Sequence, residues 1–279
     1  MRRFWTLFWV VVFLWGLAAG ASAITITVDG NLFVEEGEPD WGVDTSSFGE
    51  NDNNWDPGVP GVFVWQEDEV GENDGFVDPG YGGQNYDVEA VLATFDANYL
   101  YVAIATGFPQ IGREYGSDWY DAGDIAFDVG ADGSWDYALV ISTYVDGNDN
   151  REAEIDNSIQ EVELRGFYKV FSWQGVSVSD HSVSNPFRMK SGTQKGTVDE
   201  SKFYYVADDP DLPRYIIEAA IPLSLFDEPF TSIKIHWTME CGNDYGEVVA
   251  HTPEPASILL AGAGLFAVSM FLRRRRREG

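Results

Sequence analysis

Two apolar runs parted by three residues, Val88–Phe95 and Tyr99–Thr106, constrain the fold of this 279-residue chain more than any other stretch. Both are rich in β-branched, aromatic and aliphatic residues, and Asp96-Ala97-Asn98 between them has turn chemistry, so the pair reads as a β-hairpin. In the second run Leu100, Val102 and Ile104 take one face while Tyr99, Tyr101 and Ala103 take the other. Side chains alternate along a strand, so two apolar faces predict a central strand covered on both sides. A second hairpin is expected from Asp124–Val129 through Gly130–Ser134 to Trp135–Thr143, where Tyr137, Leu139 and Ile141 alternate with Ala138, Val140 and Ser142. Further strands are expected at 24–28, 61–65, 162–172, 203–207, 214–221 and 231–238, with a single helical turn at Leu223–Phe226. Between the termini no window keeps a helical apolar period over three turns. The fold class is therefore all-β: an antiparallel β-sandwich with long Gly/Asp-rich loops. Residues 35–86, rich in Gly, Asp, Asn and Pro, and the polar residues 181–202 read as long excursions from it.

The termini carry a different message. Arg2 and Arg3, the apolar stretch Phe4–Leu17 and Ala21-Ser22-Ala23 have the three parts of a secretory signal peptide, residues 1–23, cut by signal peptidase before Ile24. At the other end, residues 252–279 hold Pro253-Glu254-Pro255, an uncharged apolar run Ala256–Leu272, and Arg273, Arg274, Arg275, Arg276 and Arg277. The run, 256–272, is near the lower length limit for a transmembrane helix. Guanidinium groups resist hydrocarbon and stay cytoplasmic, which places residues 24–251 on the far side of the inner membrane. In its three parts this terminus resembles the PEP-CTERM sorting signal of exosortase substrates. The resemblance implies transient anchoring in the inner membrane, processing by an exosortase-type enzyme near Pro253-Glu254-Pro255, and delivery to the cell surface or extracellular matrix.

Charge narrows the partners. The chain has 46 acidic and 17 basic residues and a formal net charge of −29. With Arg2, Arg3 and the C-terminal arginines set aside, the middle is more acidic still. Such a field repels nucleic acid and anionic lipid, and it suits solubility, divalent cations or a cation-bridged matrix. Seven tryptophans in the middle (Trp41, Trp55, Trp65, Trp119, Trp135, Trp173 and Trp237) argue for a packed core rather than disorder. Cys241 is the only cysteine, so no intrachain disulfide forms. It reads as a small buried hydrophobe, with an intermolecular disulfide or a reactive thiol as the alternatives.

Short pieces of the middle are similar to the carbohydrate-binding module family 9-like sandwich: Val28-Asp29-Gly30, the hairpin Phe95–Val102, Gly123–Asp128 and Tyr215–Pro222, in that order. That resemblance implies polysaccharide binding. Sugar faces stack on exposed aromatic planes flanked by hydrogen-bonding groups, which makes Trp41, Trp55, Trp65 and Trp119, in or beside polar loops, the candidate ligand-binding residues. Trp135 and Trp237 lie in strand patterns and are expected in the core. Calcium favours clustered hard oxygen donors. Asp128, Asp132 and Asp136 around one turn are the first candidates, Asp146, Asn148, Asp149 and Asn150 the second, and Asp52, Asp56, Asp74 and Asp78 a weaker third. The same residues serve equally as solvated turn formers. No nucleophile elbow, paired metal-binding histidines or phosphate loop is present, so no catalytic residue is assigned. Glu218, the one acid within a strongly apolar strand, is expected to take a structural hydrogen bond. A glycan-active enzyme and a purely structural surface protein remain the alternatives.

Overall fold

The computed structural model describes residues 26–33, 41–43, 55–67, 82–209 and 214–252. The signal peptide, Pro253-Glu254-Pro255, the apolar run 256–272 and the arginine cluster lie outside the described residues, as do Asp52, Asp74 and Asp78. The described part is mostly β-strand, with a few short 3-10 turns. One sheet has the order β1 (Phe63–Gln66), β2 (Val88–Phe95), β3 (Tyr99–Thr106), β15 (Arg214–Pro222) and β14 (Phe203–Asp209). The other has β11 (Ser158–Glu161), β10 (Glu152–Ile155), β13 (Arg188–Thr197), β12 (Gly166–Gln174), β7 (Tyr137–Leu139), β6 (Ile125–Val129), β16 (Ser232–Thr238) and β17 (Tyr245–His251). Two ribbons, β4 (Arg113–Tyr115) with β5 (Asp118–Tyr120) and β8 (Tyr144–Val145) with β9 (Asn148–Asp149), stand apart from both sheets.

Alternation explains how the sheets meet. Leu100, Val102 and Ile104 of β3 and Ile217, Ala219 and Ile221 of β15 join one core with Ile125 and Phe127 of β6, Leu139 of β7, Ile233, Ile235 and Trp237 of β16, and Val248 of β17. The opposite face of the five-stranded sheet is covered too. Tyr101, Ala103 and Ala105 pack there with Ala90, Leu92, Ile216 and Ala220 against Ile26, Leu32, Phe33, Trp41, Val43 and Trp55. The two-sided burial expected of Tyr99–Thr106 is thus met by a sheet on one side and the N-terminal segment on the other. Glu218 fastens that segment. Its Oε2 accepts from the backbone N–H of Asp29 and of Gly30, each at 2.9 Å, and its Oε1 accepts from Trp41 Nε1 at 2.8 Å. This is the structural role expected of the acid.

Three expectations need correction. Residues 26–28 form no strand. Residues 181–202 are not an excursion, because Arg188–Thr197 is a ten-residue strand paired on both sides. The sheets are antiparallel except for β10 against β13, where Glu154 and Ile155 run parallel to Ser191 and Gly192. The turn expected at Leu223–Phe226 is a 3-10 turn, Leu223–Leu225.

Candidate functional site

The loop tryptophans do not form a common face. Trp41 and Trp55 are 0% and 2% exposed, so neither offers a ring face to a sugar. Their loops are polar in sequence, but the rings are the apolar cover of the five-stranded sheet. Trp65 is half-buried and packs against the inter-sheet core over Gly246, where a β-carbon would stand 2.9 Å from its Cζ3. Trp119 is half-buried and lies on the β8–β9 ribbon, close enough to Gly147 that a β-carbon would meet Cζ2 at 3.0 Å. Trp237 is fully buried, as expected. Trp135 is half-buried, with Lys234 Nζ 4.7 Å above its ring, on the outer rim of the second sheet rather than in its core.

The first predicted calcium cluster is a self-satisfied turn. Asp128 Oδ1 and Oδ2 accept from the N–H groups of Asp132 and Gly133 at 2.9 and 2.8 Å, Asp132 Oδ1 accepts from Ser134 N–H at 3.0 Å, and Asp136 Oδ2 accepts from Val129 N–H at 2.9 Å. Backbone donors occupy both oxygens of Asp128 and one each of Asp132 and Asp136, as turn-forming acids do. Asp146 and Asn148 shape the β8–β9 ribbon instead: Asp146 takes a positive φ of 49° and its carbonyl accepts from Asn148 Nδ2 at 3.0 Å. Asp56 caps its own turn, accepting from Gly58 N–H at 2.8 Å.

Sequence reasoning missed two features on one end of the sandwich. The first is a cleft of about 350 Å³ lined by Tyr86, Tyr115, Tyr120, His181, Cys241 and Asn243. Tyr115 and Tyr120 come from the β4–β5 hairpin, Tyr86 from the 3-10 turn Gly83–Tyr86, and His181 from the 3-10 turn Ser179–Ser184. Tyr86 sits edge-on to both other tyrosines, with centroids 6.1 and 6.3 Å away. Its ring is buried, and among the described residues its hydroxyl has no hydrogen-bond partner. Tyr115 is 52% exposed. His181 Nδ1 lies 2.7 Å from the Cys241 carbonyl and Ser184 Oγ donates to the Gly242 carbonyl at 2.8 Å, which pins one wall. Cys241 is buried, and burial raises its thiol to about 12, which favours the small-hydrophobe role over a reactive thiol.

The second feature adjoins the cleft along the chain, since Asp87 and Asp244 follow the lining residues Tyr86 and Asn243. Glu67 follows β1, Asp87 precedes β2 and Asp244 precedes β17, and a carboxylate oxygen from each comes within 4.8 Å of the others. Among the described residues this is the group that gathers three ligand atoms, and Asp128, Asp132 and Asp136 do not. Asp244 is held by its neighbours: Oδ2 accepts from Val88 N–H at 2.5 Å and Oδ1 from Tyr245 N–H at 2.7 Å. Asp87 is wholly buried, and among the described residues neither of its oxygens has a hydrogen-bond partner. Burial, then the negative charges of Glu89, Asp244 and Glu67, raise its carboxyl far above the ordinary carboxylate range. A bulge in β2 between Val88 and Ala90 shifts the register here, a distortion that re-aims side chains at strand ends.

Comparison with known proteins bears on the C-terminus. Residues 251–277 match the PEP-CTERM protein-sorting motif. The PEP-CTERM match indicates an exported surface protein processed by an exosortase-type enzyme, after membrane-anchored transit. It contains Pro253, Glu254, Pro255 and the five arginines, most of it outside the described residues. Among the described residues no helix is long and apolar enough to cross a membrane. No curated protein and no solved structure matches the chain, so the resemblance to the family 9-like carbohydrate-binding module stands without a match behind it.

Proposed function

We propose that this exosortase-processed surface protein is a non-catalytic β-sandwich that holds polysaccharide in the cleft of Tyr86, Tyr115 and Tyr120. The observation that carries the reading is the pairing of an exposed aromatic face with a buried phenol hydroxyl that lacks a partner. Stacking on Tyr115 would take the apolar face of a sugar ring, and a sugar hydroxyl would satisfy Tyr86. The amide of Asn243 and the second nitrogen of His181 add polar groups to the same wall. The net charge of −29 favours neutral, cationic or cation-bridged glycans over free anionic ones.

Affinity electrophoresis of the full chain in detergent through polysaccharide-loaded gels tests this. Retardation should fall several-fold in Tyr115→Ala, a loss of roughly 1 kcal/mol for one stacked ring, while Trp41→Phe should keep it. Equal retardation of wild type and Tyr115→Ala, or none of either, removes the cleft from consideration. Release of shorter glycans would favour the enzymatic alternative instead.

A further inference from the structure

The carboxylates of Glu67, Asp87 and Asp244 pose a problem of charge. Two of the three are completely buried, and the charges acting most strongly on Asp87 are all negative. A buried carboxylate normally accepts two or more hydrogen bonds or pairs with a base. Among the described residues Asp87 does neither: both of its oxygens lack a hydrogen-bond partner, and no lysine, arginine or histidine forms an ion pair with it. Its side chain meets that of Glu67, an acceptor facing an acceptor. Such a contact is bridged by a proton or by a cation.

We propose that Glu67, Asp87 and Asp244 bind a divalent cation, calcium in the exported protein. The donor set is entirely carboxylate oxygen, which suits a hard cation. Calcium–oxygen bonds of about 2.4 Å let one ion touch oxygens up to about 4.8 Å apart, whereas magnesium, with bonds near 2.1 Å, needs a tighter set. The oxygens here lie within 4.8 Å of one another. The site also has a mechanical meaning. Glu67 and Asp87 belong to the ends of β1 and β2 in one sheet, and Asp244 leads into β17 of the other, so the ion clamps the two sheets. Tyr86 and Asn243, the residues just before Asp87 and Asp244, line the cleft, so the clamp sets the distance across it. The cation site rests on the acids alone and stands whether or not a glycan binds.

The test uses the full chain in detergent, stripped with EDTA and titrated with calcium chloride by calorimetry and thermal melting. One ion per chain and a rise in melting temperature of several degrees at millimolar calcium are expected. Asp87→Asn should weaken calcium binding at least tenfold and abolish the rise. Glu67→Gln, at the half-buried rim and less prone to misfold, should weaken it by a smaller factor. Asp132→Asn, in the turn satisfied by backbone donors, should leave it intact. The proposal is overturned if wild type shows no calcium-dependent shift. It also fails if the shift survives Asp87→Asn and is lost in Asp132→Asn, which would move the ion to that turn. An Asp87→Asn chain more stable than wild type, with neither binding calcium, would assign the cluster to a shared proton.

Discussion

Asp87 and Asp124 are both fully buried, and both stand at the entrance to a strand. Asp124 is surrounded by donors: Arg151 Nη1 and Nη2 reach its two oxygens at 2.6 Å each, and Met189 N–H adds a third bond at 2.7 Å. Arg151 is itself tied to the Ser142 and Met189 carbonyls at 3.0 and 3.3 Å. Nearby, Asp121 accepts from Arg188 Nη2 at 2.9 Å and from Asp146 N–H at 2.9 Å. At Asp87 the neighbours are acids. The molecule therefore neutralises buried acid with protein cations at Asp124 and surrounds it with further acids at Asp87, where the proposed calcium would supply the missing charge. Burial penalises the charged form at both, and only at Asp124 do protein cations offset it, which is the contrast the calcium proposal rests on.

The largest test of that contrast is at Asp124. Asp124→Asn keeps the shape but strands a buried guanidinium, and it should cost roughly 3–5 kcal/mol in chemical denaturation whatever the calcium concentration. A cost below about 1 kcal/mol would mean that water reaches Arg151 and that the pair is not truly enclosed. Even here the compensation is incomplete, since burial raises Asp121 and lowers Arg188, each against its charged form. Glu218 offers an intermediate case, an acid held by N–H donors of Asp29, Gly30 and Trp41. Glu218→Gln swaps one acceptor for a donor facing either the Asp29 and Gly30 amides or the Trp41 indole, and should cost about 2 kcal/mol. Tryptophan fluorescence should report loosening of Trp41 in the same variant. An unchanged denaturation midpoint would show that the N-terminal cover is held by its apolar contacts alone.

The smallest effect belongs to Asp227, an acid in water between Lys169 Nζ at 2.7 Å and Lys195 Nζ at 2.5 Å. Hydrogen bonds from those lysines hold its carboxyl down at about 2. A depressed carboxyl adds stability above its ordinary value of 3.8 and loses it as pH falls towards about 2. Asp227→Asn should therefore show a slight deficit at neutral pH that disappears in that acid window and fades in high salt. A deficit that persists at pH 2 would indicate a packing role instead.

Legibility in the sequence followed the same physics. The runs Val88–Phe95, Tyr99–Thr106 and Arg214–Pro222 announced themselves because burial on both faces demands apolar side chains at most positions. Glu218 stood out against such a run, and its donors were where an acid in that setting needs them. Arg188–Thr197 did not register as a strand because much of its surface is polar, and its pairing is made by backbone groups that sequence patterns do not display. Tyr245–His251 was missed for a related reason, since its inward positions Gly246, Val248 and Ala250 are small. Trp41 and Trp55 were misread because a polar loop composition says nothing about what lies beneath the loop.

The address of the protein was written in one dimension: an apolar run stopped by arginines after Pro253-Glu254-Pro255 needs no fold to be recognised, because its physics is transfer into lipid. The β class likewise followed from alternation, a local property. What only the tertiary structure decided is which acids meet. Glu67, Asp87 and Asp244 are far apart along the chain, and Coulomb repulsion among them arises only when two sheets stack and water is expelled from between their ends. The cleft has the same origin, as its tyrosines, His181 and Asn243 come from four separate turns and ribbons that share nothing until the sandwich closes.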